Sequence, residues 1–146
     1  MSKIAVIRIR GLVGIRKDIA ETLNKLRLRK KFVCIILEET PENMGMIQKV
    51  ENFVAYEKIN ESTLKELILK RGRFPGDKKL KGAGNKLDEF VKEFVANKKK
   101  LKDFGIKPFF RLHPPLRGFK KSIKLRYPKG ILGKNEKINE LIKRML

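Results

Sequence analysis

Residues 104–127 interleave rings with cations. Phe104, Phe109, Phe110, Phe119 and Tyr127 stand among Lys107, Arg111, Arg117, Lys120, Lys121, Lys124 and Arg126. Lysine and arginine neutralise phosphates and release the counterions condensed on them, which adds affinity. Aromatic rings and guanidinium planes stack on unpaired bases. Pro108, Pro114 and Pro115 stiffen the stretch and lower the cost of ordering it on a partner. A purely structural reading makes Phe109, Phe110 and Leu112 a strand packed on the fold. The two readings combine if alternate residues are buried while Arg111 and His113 face outward. A second basic stretch, residues 72–86, contains Arg73, Lys78, Lys79 and four glycines. It reads as a mobile basic loop.

Catalytic chemistry finds no matching constellation. His113 is the single histidine, so a two-histidine nuclease is excluded. Cys34 lies inside an apolar run, where a small core residue is expected rather than a nucleophile. One cysteine makes neither an internal disulfide nor a cysteine-rich zinc site. No G-x-x-x-x-G-K-[ST] sequence occurs, and residues 82–86 follow no strand and lack the serine or threonine for magnesium. Gly11 and Gly14 lie between a strand and a helix, where a plain turn suffices. No catalytic residue, metal or cofactor is expected.

The whole composition agrees with a polyanion partner. The 146 residues carry 37 Lys+Arg against 16 Asp+Glu, a net charge of +21. Residues 1–60 contribute 12 basic and 7 acidic residues, residues 61–146 contribute 25 and 9, so the second part holds +16 of the excess. Between 98 and 129 only Asp103 opposes 12 cations. A solvated face accounts for the charges of residues 16–31 but not for that stretch. Hydrophobic residues still make up 41%, enough for a core. The longest apolar run, Phe32 to Leu37, is too short to span a membrane. Arg8 and Arg10 interrupt any export signal, so a cytoplasmic chain is expected. A membrane-surface role would prefer one long basic amphipathic helix, and the 87–97 segment is mixed in charge.

These groups need elements to hold them. Residues 3–10 are β-branched and read as a strand. Ile15, Ile19, Leu23 and Leu26 mark one face of a helix. Residues 31–38 form a second strand, apolar on both sides and therefore well covered. Thr40, Pro41 and Glu42 supply an N-cap, a first-position proline and an acid in the first turn. Met44, Ile47 and Val50 give that helix its buried stripe. Residues 52–58 make a third strand, completing β-α-β-α-β within 60 residues. Thr63 and Glu66 have capping-box spacing for a third helix, with Leu64, Leu67 and Ile68 on its apolar face. A fourth helix is expected over 87–97, irregular structure with short extended pieces over 105–133, and a last helix over 135–146. That last helix carries Ile138, Leu141, Ile142 and Met145 on one face. The domain reading is a core over 1–60 and a basic extension over 61–146, with helices near 62–71, 87–97 and 135–146.

Four stretches carry a family resemblance. VIRIRGLVG at 6–14, TPENMGMIQKV at 40–50, GIKPFFRLHPPLRG at 105–118 and GILGKNEKINELIKRM at 130–145 occur in the order of one family. The chain resembles the large-subunit ribosomal protein thirty family, in its longer archaeal form, related to eukaryotic cytoplasmic large-subunit protein seven. One departure is that Leu116 follows Pro115, and Gly118-Phe119 replaces a glycine pair.

The resemblance implies an α+β fold, with a small three-stranded antiparallel sheet on two helices, somewhat ferredoxin-like, plus the extension. It implies 23S rRNA binding in the large ribosomal subunit, near 5S rRNA and neighbouring ribosomal proteins. By match, Arg10, Gly14 and Arg16 lie at the rRNA-facing end of the first strand. Gly45, Met46 and Lys49 lie on the second helix near RNA. Arg111, His113 and Arg117 belong to the contact made by the extension. The basic residues Arg73, Lys78, Lys79, Lys107, Lys120, Lys121 and Arg126 complete the expected RNA-binding set. No membrane or small-molecule substrate is expected. The alternative is a free-standing basic RNA- or DNA-binding protein or RNA chaperone.

Overall fold

The computed structural model describes residues 3–11, 16–71, 73–74, 78–79, 84–96, 109–115, 118, 122–127 and 129–145. At 73–74, 78–79, 84–88 and 122–126 it describes the backbone alone. The first part follows the expected order: β1 (Lys3–Arg8), α1 (Lys17–Lys25), β2 (Val33–Glu38), α2 (Pro41–Lys49) and β3 (Val54–Lys58). Helix α2 starts as its sequence dictates. Thr40 is extended, and its hydroxyl accepts from the Asn43 amide at 3.2 Å, with proline at the first helical position.

The second part is more regular than its composition suggests. It contains α3 (Glu61–Arg71), β4 (Arg73–Phe74), β5 (Lys78–Lys79), α4 (Gly84–Val95), β6 (Phe110–Arg111), β7 (Ser122–Arg126), β8 (Gly130–Lys134) and α5 (Ile138–Met145). Residues 72–86, expected as a loop, hold the antiparallel β4–β5 pair and the first turn of α4. Residues 105–133, expected as irregular, hold most of three strands. Thr63 does not cap α3; the helix begins two residues earlier and Thr63 is buried within it.

The α+β class holds, and the three antiparallel strands form the middle of a larger mixed sheet. Its order among the described residues is β6-β2-β1-β3-β8-β7. Strands β1, β2, β3 and β6 pair antiparallel, whereas β8 lies parallel to β3 and to β7. Between β3 and β8, residues 59–129 form the long crossover that a parallel pair allows.

The period-two alternation of β1 divides the core. Ile4 and Val6 face one side, with Val33, Ile35, Val54 and Tyr56, under Leu23, Leu26 and Leu28 of α1 and its end and Ile47 and Val50 of α2. Ala5, Ile7 and Ile9 face the other, with Cys34, Ile36, Ala55, Phe110 and Leu132. That second face is covered by Leu64, Leu67 and Ile68 of α3, Phe90, Val91 and Phe94 of α4, and the four apolar residues of α5. The extension therefore supplies half the cover of the sheet. Burial pushes the Cys34 thiol up, as expected for an inert core residue.

Candidate nucleic-acid interface

Strand pairing sets four chain segments at one end of the sheet. Ile7 stands opposite Cys34, Arg8 opposite Val54, and Val33 opposite Arg111. The end of β1, the start of β2, the start of β3 and β6 therefore converge.

Arg8 fastens this end together. Its side chain is fully buried. Its Nε donates to the Arg10 carbonyl at 3.0 Å and its Nη1 to the Leu28 carbonyl at 2.8 Å. Its Nη2 has no hydrogen-bond partner among the described residues. Burial pulls the Arg8 pKa down, because the low-dielectric interior disfavours its charge. The residue thus ties the connection between α1 and β2 to the end of β1.

That connection is unusually constrained. The Leu28 amide donates to the Leu23 carbonyl at 2.9 Å and the Arg27 amide to the Asn24 carbonyl at 3.0 Å. These bonds form a Schellman cap, closed by contact between buried Leu23 and Leu28. The left-handed position of such a cap favours glycine, yet it is held by Arg27 at φ 64°. Phe32 is also left-handed, at φ 65°. Its amide donates to the Arg8 carbonyl at 2.7 Å, and its carbonyl accepts from the Leu112 amide at 3.0 Å. Between these two fixed points Arg29, Lys30 and Lys31 are exposed. A Cβ on Gly11 would stand 3.0 Å from Lys31 Cε, so glycine there lets the lysine stem lie close to the backbone.

Strand β6 lies alongside. Phe110 and Leu112 are buried, while Arg111 and His113 are exposed, the alternation read from the sequence. The Arg111 guanidinium stands over the Phe109 ring, 5.7 Å from its centroid. Between the connection and β6 runs a groove of about 260 Å³ lined by Arg27, Arg29, Lys30, Val33, Phe109 and Arg111. Among the described residues, four cations and two apolar side chains line it, and no acid does. Arg10 is exposed nearby with its guanidinium 5.3 Å from the Phe53 ring. Ion pairs lie toward the opposite end of the sheet: Lys3–Glu38 at 3.2 Å, Lys58–Glu39 at 3.8 Å and Lys134–Glu57 at 4.0 Å.

The structure brings Arg10 and Arg111 to one end, with exposed Lys49 closing α2 before the chain returns through Phe53. Gly45 is exposed on α2 with open space around its missing Cβ. Met46 is half-buried against the α1–α2 core. Arg16 is not gathered there. It precedes α1, one helix length or about 14 Å from the cap, and pairs with Asp18 at 3.3 Å. His113 is exposed, and its amide donates to the Met145 carbonyl at 2.9 Å.

Arg73, Lys78 and Lys79 belong to the separate β4–β5 pair. Arg126 is on β7, the edge opposite β6; five strand spacings make that about 24 Å. Gly14, Lys107, Arg117, Lys120 and Lys121 lie outside the described residues. Arg27, Arg29 and Lys30 also line the groove beside β6 but lie outside the set expected from the sequence, where a solvated face accounts for the charges of residues 16–31. Their signal is a run of cations immediately before an apolar strand. Among the described residues, no group of three or more His, Cys, Asp or Glu is placed to hold a metal, and no helix is long and apolar enough to cross a membrane.

Comparison with known proteins adds an independent line. Residues 4–54 match the family model described as ribosomal protein L30p/L7e. The chain is 44% identical to a protein of Archaeoglobus fulgidus over 97% of its own length and 98% of the relative's. It is 44% identical to one of Nanoarchaeum equitans over the whole of both chains. It is 42% identical to one of Methanococcus maripaludis, over 97% and 98%. Each of the three is named large ribosomal subunit protein uL30.

Proposed function

The chain belongs to the ribosomal protein L30p/L7e family, and from that premise we propose that it is a structural constituent of the large ribosomal subunit. In this role it is a cytoplasmic, non-enzymatic component of the translation apparatus. It binds 23S rRNA near 5S rRNA, touches neighbouring ribosomal proteins and supports assembly. The likeness to archaeal uL30 proteins along essentially the whole chain carries this reading. The net charge of +21 supports it, because phosphate contacts supply most of the affinity of such proteins for RNA. Residues 1–60 act as the platform and residues 61–146 as the extension that carries most of the excess charge. Arg10, Lys49, Arg111 and His113 are proposed RNA contacts on described surfaces. Lys107, Arg117, Lys120 and Lys121 are proposed from the sequence pattern, and Gly14 from the family resemblance. No observation favours a free-standing nucleic-acid binder over this reading.

Sucrose-gradient fractionation of a lysate at moderate salt tests it. The protein is expected with the large subunits, and sedimentation away from them overturns the assignment. In a salt titration of rRNA binding, Arg10→Ala should flatten the log–log slope by about 0.7–0.9 for the lost phosphate contact. An unchanged slope removes Arg10 from the contact set.

A further inference from the structure

We propose that the groove between the α1–β2 connection and β6 holds a single unpaired RNA nucleotide. Its base stacks on the outer face of the Arg111 guanidinium, and its flanking phosphates lie on Arg27, Arg29 and Lys30. This inference rests on the rRNA-binding reading and names the form of RNA that the site takes.

The lining selects that ligand. A site for phosphate alone needs cations and amide donors, not a ring and a valine floor. Here the Arg111 guanidinium carbon stands 5.7 Å from the Phe109 ring centroid, and Val33, opposite Arg111 in the strand pairing, lines the groove beside them. A planar cation backed by a ring is a platform for a base, whatever its identity. The volume of about 260 Å³ suits one base; pockets for drug-sized ligands span roughly 300–1,000 Å³. A duplex keeps its bases stacked inside and would present only phosphates. An acidic peptide would satisfy the charges but has no planar group for the platform.

The backbone adds a second, independent observation. Arginine occupies the left-handed cap position where glycine costs least, and that strain places the Arg27 side chain on the groove. Strain of this kind persists where the side chain has a use. The connection is also fixed before any ligand arrives, by Arg8 on the Leu28 carbonyl and by the two bonds of Phe32. A preformed site avoids much of the ordering cost of binding.

The test uses the full chain and a short unstructured RNA containing one fluorescent purine, with its duplex form and a polyglutamate peptide as competitors. The proposal expects the purine to be quenched and the single strand to bind more tightly than duplex or peptide. Arg111→Lys keeps the charge and removes the plane. It should weaken single-strand binding about fivefold to a hundredfold, the range for one base stacked on a side chain, with the salt slope retained. Phe109→Leu keeps the apolar packing and should weaken binding in the same direction. Arg27→Gly relieves the cap, so it should raise the melting temperature while lowering affinity, which separates a binding loss from a folding loss.

Three results overturn the proposal: single-strand affinity unchanged in Arg111→Lys, duplex bound as tightly as single strand, or polyglutamate displacing the RNA at equal concentration. If any of these occurs while the wild-type protein still sediments with large subunits, the groove assignment fails and the ribosomal reading stands. If the wild-type protein sediments elsewhere, the ribosomal reading itself fails.

Discussion

Arg8 illustrates what a single residue can hide. Its neighbours in β1 are apolar, and an arginine among them reads as an outward-facing polar group. Parity puts it on the same face as Ile4 and Val6, and strand alternation gives the face without the depth. The depth comes from the turn after α1, which folds over that face and buries the guanidinium against the carbonyls of Arg10 and Leu28. A buried charge with no ion-pair partner among the described residues costs free energy, offset here by two charge-assisted hydrogen bonds. Arg8→Ala should therefore lower stability by about 3 kcal/mol, from lost packing and two abandoned carbonyls, read by urea denaturation. It should also loosen the basic connection, so RNA affinity should fall although Arg8 touches no ligand. A variant as stable as the wild type would show that the two bonds do no more than offset the buried charge. Arg111 stood out in the sequence because its type and its aromatic neighbours point to phosphate and base chemistry, and Arg10 because of the family resemblance. Arg27, Arg29 and Lys30 did not stand out, because a solvated face accounts for the charges of residues 16–31.

Among the elements, those defined by local signals were readable. The cap at Thr40, the apolar stripes of α3 and α5, and the alternation through Phe110 and Leu112 all sit where their residues place them. Strand β8 was not readable. Gly130 and Gly133 offer no side chain, and Gly133 has φ 78°, a turn-like value. What makes the segment a strand is its parallel pairing with β3, in which Gly133 stands opposite Ala55, a partner far away in sequence. Strand β6 shows how a very short element can carry a site. Only two residues pair with β2, so its position depends on the anchoring of Phe110 in the core. Phe110→Ala should cost about 3–5 kcal/mol in chemical denaturation. A loss below about 1 kcal/mol would mean that β6 is held by its backbone bonds and not by its anchor.

For the molecule as a whole, one sheet is shared by the core and the extension. The α3, α4 and α5 helices cover Ala5, Ile7, Ile9, Cys34, Ile36 and Ala55. A fragment ending at residue 60 would leave that apolar face in water, and burying each large side chain of the face is worth about 1.5–3 kcal/mol. The fragment should show no cooperative thermal transition and should bind dyes that report exposed apolar surface; a sharp two-state transition would show that the first 60 residues fold alone. The parallel seating of β8 has a further consequence for biosynthesis. Ile131 and Leu132 on β8 and the four apolar residues of α5 enter the same cluster as Ile7 near the chain start. Contacts of such long sequence separation form late. A nascent chain consequently carries an open, aggregation-prone sheet face until α5 has left the exit tunnel. Protection by a chaperone, or prompt docking on a growing partner, is thus most needed until α5 has emerged.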